Sequence, residues 1–197
     1  MPASPAAHEP VRAASTPTLL EIRRLVRLTL WAALIGAGAW LTIPLPVVPL
    51  SLQTFFVLLA GLAEGPRSAA LAASLYLLAG FLGLPVFAGG LGGPSIIFRP
   101  SAGYALAFPL MAAVAGLASR RGRPGFGLAF FWALVATGLS HFCGFWGVWL
   151  NTGQPSLVVA KSLFIFLPGS LLKALAAASL ASSPRFARLL GAGAGRS

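Results

Sequence analysis

Apolar runs alternate with short polar or proline-rich breaks along the whole chain, and the pattern predicts six helices near residues 24–43, 51–64, 67–82, 100–118, 126–150 and 168–190. "PLPVVPLS" (44–51) reads as a turn, because proline removes backbone donors and cannot sit in the middle of an ordinary helix. "EGPR" (64–67) is a tight connection, "LGLPVFAGGLGGPSIIF" (82–98) a long irregular loop and "RRGRPG" (120–125) a short basic loop. "NTGQPS" (151–156) is polar, and "LVVAKSLFIF" (157–166) reads as a short helix lying along a membrane interface. Pro168 opens the last run, where its missing N–H costs nothing.

Composition turns these runs into membrane spans. The 197 residues are 57% hydrophobic and only 9% charged, against roughly 25% charged in a soluble domain. An ordinary soluble enzyme is excluded. The expected fold is an all-α integral membrane protein, a six-helix bundle, with about 20 residues in each span. Residues 1–20 read as a disordered cytoplasmic tail, 21–190 as the transmembrane domain and 191–197 as a flexible end. Ala37-Gly38-Ala39 has the small residues of a signal-peptide cleavage site, but five further runs follow it.

The net charge of +11 does not point to nucleic acid, because the cations are scattered between apolar runs and form no stripe. With the N-terminus in the cytoplasm, Arg12, Arg23, Arg24, Arg27, Arg67, Arg120, Arg121, Arg123, Arg185, Arg188 and Arg196 all fall inside, which is 11 of the 14 Lys and Arg. The rule thus predicts a multi-pass protein of the bacterial cytoplasmic membrane with both termini cytoplasmic. Arg99, Lys161 and Lys173 break the sidedness and fall toward the outer face. No acid is near them, since Glu9, Glu21 and Glu64 lie at the cytoplasmic side, with Glu64 placed to pair with Arg67.

A cation without an acidic partner in a membrane points to an anionic ligand, with snorkelling to lipid headgroups as the other reading. Arg99 stands just before the fourth helix, whose N-terminal amides also favour an anion, and arginine can grip a carboxylate with two hydrogen bonds. Lys173 lies one turn into the last helix, with Ser170 on the same face. Gln53 can bond a ligand or the neighbouring turn. Tyr76 and Tyr104 can line a site or pack. Trp146, Trp149 and Asn151 fit an interfacial belt.

Catalysis finds little support. His141 and Cys143 have no acid to orient them and read as a packed part of the fifth helix; no paired carboxylates, metal cluster or cofactor motif occurs. Nor does a carboxylate lie within a span for proton coupling, or a P-loop for nucleotide. Uphill transport would need energy from another subunit. Ala32-xxx-Gly36 and Ala33-xxx-Ala37 on the first helix would let such a subunit, or a neighbouring helix, approach closely.

Residues 43–93, "IPLPVVPLSLQTFFVLLAGLAEGPRSAALAASLYLLAGFLGLPVFAGGLGG", closely resemble the BioY family, the biotin-specific substrate-capture (S) components of energy-coupling-factor transporters. "RPSAGYALAF" (99–108) and "LPGSLLKALAA" (167–177) resemble later family segments, and the likeness extends over about residues 25–182. Gln53-Thr54, Gly65-Pro66-Arg67, the run Gly83 to Ala88 and Pro168-Gly169 with Lys173 keep the family's order. The resemblance implies six helices, a biotin site open to the outside, and assembly with a transmembrane coupling protein and two ATPase subunits. It implies partner contact through Ala32, Ala33, Gly36 and Ala37. It also implies a biotin carboxylate near Arg99 and a ureido ring near Ser170 and Lys173; the glycines of the loop 83–99 give it the freedom to close over a ligand as a lid. Two positions depart from the pattern. Ser170 stands where the family usually has an acid, which weakens acceptance of the ureido N–H groups by about 1 kcal/mol per bond. Gly89 stands where some members carry asparagine.

Overall fold

The computed structural model describes residues 18–43 and 48–189, so residues 1–17 of the expected N-terminal tail, residues 44–47 of the expected turn and the expected end at 191–197 lie outside the described residues. Its long helices are α1 (Leu19–Trp40), α2 (Gln53–Glu64), α3 (Pro66–Phe81), α4 (Ala102–Gly116), α5 (Phe126–Thr152) and α7 (Leu167–Ala181). Two shorter helices, α6 (Ser156–Phe164) and α8 (Pro184–Leu189), also lie among the described residues. A two-stranded antiparallel hairpin, β1 (Thr42–Ile43) and β2 (Leu50–Ser51), joins α1 to α2. Residues 102–119 and 126–152 form helices long and apolar enough to cross a membrane by themselves, while α2 and α7 are apolar but shorter.

On α5 and α7 small side chains face in and large ones face out. α5 buries Ala129, Ala133, Ala136, Ser140, Gly144 and Gly147 and turns Phe131, Leu134, Phe142, Trp146 and Trp149 outward. α7 buries Ala174, Ala177, Ala178 and Ala181 and exposes Leu171, Leu172 and Leu175. Water would drive the opposite arrangement. In lipid the tails are as apolar as leucine, so association rests on close packing of small residues. The α4–α5 crossing is one example: a Cβ at Gly103 would collide with the Cys143 carbonyl and the Gly147 backbone.

α2 sits centrally, packed against α1, α3, α4 and α7. The tight Gly65-Pro66 connection turns the chain back into α3, with Gly65 at φ 79°. Glu64 therefore does not pair with Arg67, which is exposed. It meets α1 instead: Arg27 Nε lies 3.7 Å from its carboxylate, and Trp31 Nε1 donates to it over 3.1 Å. Trp31 is 3% exposed, so loss of the acceptor would strand a buried N–H. Glu64→Ala is expected to cost about 2 kcal/mol and lower the melting temperature by about 5 °C. Glu64→Gln, which keeps an acceptor for Trp31, should recover more than half of this. Equal melting temperatures for Glu64→Ala and wild type in a detergent thermal-shift measurement would dismiss the bond.

The structure corrects three boundaries. α1 begins at Leu19, not near residue 24, because Thr18 and Glu21 form a capping box that hydropathy does not register. Leu50 and Ser51 belong to a strand. The last run is broken after Ala181, where Pro184 starts a separate helix; proline cannot donate within a continuing one. A short helix is present where one was expected at 157–166, as α6 (Ser156–Phe164).

Candidate functional site

α2, α4 and α7 all begin at the same end of the bundle as the loop after α3, and a cavity of about 70 Å³ lies between their first turns and α5. One water needs roughly 10–15 Å³ of such space, so several would fit. Val48, Leu58, Ile96, Phe108, Met111 and Phe166 supply apolar walls. The polar groups gather from β2, α2, α4, α5 and α7.

Lys173 is the only Lys or Arg among the lining residues. It comes from the first turns of α7, and its ammonium donates to the Ser51 carbonyl over 2.6 Å and to Thr54 Oγ1 over 3.2 Å. An ammonium has three protons, so one is left for a ligand. Its ion is held by neutral oxygens, and the N-terminal ends of three helices add positive potential nearby.

The second polar group is a chain across α4, α5 and α7. Tyr104 Oη lies 3.1 Å from His141 Nδ1, and His141 Nε2 lies 3.0 Å from Ser170 Oγ. The Tyr104 ring occupies the place where a side chain would stand at position 144, so Gly144 is needed for it to lie against α5. Next to His141, Ser140 is 2% exposed and its hydroxyl has no hydrogen-bond partner among the described residues. A buried, unpaired hydroxyl in a cavity wall is a place where a ligand or water belongs.

Gln53 and Tyr76 also line the cavity, but their polar atoms are largely engaged. Ser51 Oγ donates to Gln53 Oε1 over 3.0 Å, Gln53 Nε2 donates to Tyr76 Oη over 2.5 Å, and Tyr76 donates to the Val86 carbonyl over 3.2 Å. This chain ties the loop after α3 to the two helices beneath it. Phe87 anchors the same loop: it is 1% exposed and its ring packs edge-on against Tyr76 at 5.7 Å. The ring fills the space above Gly80 that any side chain there would need. Gly89 turns the loop with φ 80°, a conformation that favours glycine.

The structure brings Lys173, Ser170, Gln53, Tyr76 and Tyr104 together at one cavity. Arg99 and Gly89 do not line it. Arg99 is exposed at the end of the 3-10 turn Pro94–Phe98, two residues from the lining residue Ser101, and Gly89 is exposed one residue beyond the lining residue Ala88. His141 was read as packing and instead bridges two site hydroxyls. Helical spacing held a partial signal, because Thr137, Ser140, His141 and Gly144 recur every three or four residues along α5. Ser51 and Thr54 were missed for lack of any motif. The α1 pairs also divide: Gly36 is buried against Val86 and Ala32 is partly buried, whereas Ala33 and Ala37 are exposed. Among the described residues no group of His, Cys, Asp or Glu could hold a metal ion.

Fold and cavity together define a bundle of apolar helices with a partly polar cavity near one end. The BioY family profile matches residues 11–190, and the chain belongs to the BioY family. It is 42% identical over 100 residues to the biotin transporter BioY of Thermotoga maritima, across 51% of this chain and 59% of that protein. It is 31% identical over 166 residues to the probable biotin transporter BioY of Bacillus subtilis, across 83% and 89%. The chain thus aligns with about three-fifths of the Thermotoga relative and most of the Bacillus one. Its fold is similar to that in a 2.1 Å crystal structure of the S component for biotin from an ECF-type ABC transporter, with a TM-score of 0.76, 23% identity, and coverage of 87% of this chain and 95% of that one.

Proposed function

We propose that this chain is the S component of a biotin uptake system: it captures biotin at the outer face of the cytoplasmic membrane, carries out no catalysis, and depends on partner ATPases and a transmembrane coupling protein for transport. Lys173, held with a free proton in an otherwise uncharged and mostly apolar cavity, is the observation that carries this reading. Biotin offers a cyclic urea, an apolar thioether ring and chain, and a carboxylate. Lys173 and Ser170 suit the urea and the apolar walls suit the ring. The carboxylate would reach the rim beside Arg99, where the loop 83–99 closes as a lid. The sidedness of the basic residues supports cytoplasmic termini, and Ala33 and Ala37 offer the coupling protein a small-residue surface on α1.

The test is uptake of labelled biotin by a biotin-auxotrophic host expressing the chain with and without ATPase and coupling subunits. Uptake that excess biotin suppresses, and other vitamins do not, is expected. Suppression by another anionic vitamin in preference to biotin would favour a different solute, the reading that Ser170 prompts. Because Arg99 is exposed and screened, Arg99→Ala is expected to weaken biotin binding only about tenfold. Unchanged affinity would remove Arg99 from the carboxylate's surroundings.

A further inference from the structure

We propose that His141 is a positioning residue that makes the cavity select a urea- or amide-like group, by forcing Tyr104 and Ser170 into opposite hydrogen-bonding roles; this rests on the biotin reading. A neutral imidazole has one N–H and one bare nitrogen. Both are taken, Nδ1 by Tyr104 at 3.1 Å and Nε2 by Ser170 at 3.0 Å. The hydroxyl that receives the N–H keeps its own proton free for the cavity. The hydroxyl that donates to the bare nitrogen has only lone pairs left to present. One tautomer makes Tyr104 the donor and Ser170 the acceptor, and the other reverses them. In neither can this pair offer the cavity two donors, because one of the two hydroxyl protons is always spent on the imidazole.

The neutral form is the one this cavity accommodates. Lys173 lines the same cavity, three residues from Ser170 on one helix face, and no carboxylate lines it to support a second cation. A cyclic urea, with C=O beside N–H, matches a donor set next to an acceptor. A carboxylate, which only accepts, does not. Ser170 thereby gains a fixed acceptor or donor role, although a serine alone rotates freely. Ser140, buried and unpartnered beside His141, adds a third hydroxyl to the same wall.

Two measurements judge the proposal. The first compares the affinity for biotin with that for an analogue carrying a cyclic carbonate in place of the urea, which keeps the shape and loses both N–H groups. Wild type is expected to prefer biotin by about tenfold or more, and His141→Phe, which frees both hydroxyls to rotate, to reduce that preference to under threefold. A purely structural role would weaken both ligands alike and leave the ratio unchanged, which would overturn the proposal. The second needs no ligand. In chain labelled with 15N-histidine, with His8→Gln to assign the other histidine, Tyr104→Phe is expected to move the Nδ1 resonance and Ser170→Ala the Nε2 resonance. Resonances that ignore both substitutions would overturn the relay even if biotin binds. Resonances that respond, in a chain that binds no biotin, would support the relay and defeat the biotin reading alone.

Discussion

Lys173→Gln is expected to lower biotin affinity about 100-fold while the chain still inserts and folds. The ammonium is the one cation lining the cavity, and two of its three protons are committed to Ser51 and Thr54. Hydrogen bonds to charged groups contribute about 1.5–3 kcal/mol each, which corresponds to roughly 10- to 150-fold in affinity. Glutamine keeps a donor for the Ser51 carbonyl, so the tie between α7 and β2 need not fail with the charge. Thr54→Val separates the two roles. It removes one anchor of the lysine and leaves the ion, and a loss of less than tenfold is expected. If Lys173→Gln binds biotin within threefold of wild type, the cation is not a ligand group.

Gly144→Val is the second large effect, and it works through shape. A side chain at 144 would stand inside the Tyr104 ring, so either α4 and α5 separate or the ring leaves the cavity wall. Overpacking of this kind costs about 1–3 kcal/mol in stability. Loss of the ring also removes the Tyr104 to His141 contact, and binding is expected to fall more than 100-fold. Tyr104→Phe is the control: it keeps the ring and loses only the hydroxyl, for about a tenfold effect. A Gly144→Val chain that melts and binds like wild type in parallel thermal-shift and ligand-binding measurements would mean that this packing is not required.

The helices were legible because each is an apolar run bounded by proline, glycine or arginine. Their inward faces were not legible from hydropathy, since both faces are apolar. On α7 they are written in side-chain size: the alanines at 174, 177, 178 and 181 face in, and Leu171, Leu172 and Leu175 face out. The capping box at Thr18 and Glu21 and the break before Pro184 were local signals overridden by the broad apolar pattern.

Lys173 stood out as an intramembrane charge, and Gln53, Tyr76 and Tyr104 as polar exceptions in apolar runs. Pairing could not be read the same way. Arg27 reaches Glu64 across 37 positions, and His141 reaches Ser170 across 29, so both depend on which helices become neighbours. Arg99 shows the converse. Its isolation as a charge was plain in sequence, but its place at the rim follows from the path of the loop anchored by Phe87 and Gly80.

Equilibrium binding of radiolabelled biotin to the purified full-length chain, reconstituted in lipid nanodiscs beside Lys173→Gln, tests the central claim most directly. One saturable site that unlabelled biotin empties, weakened about 100-fold by the substitution, is the predicted result. A folded wild-type chain with no saturable biotin binding would contradict it.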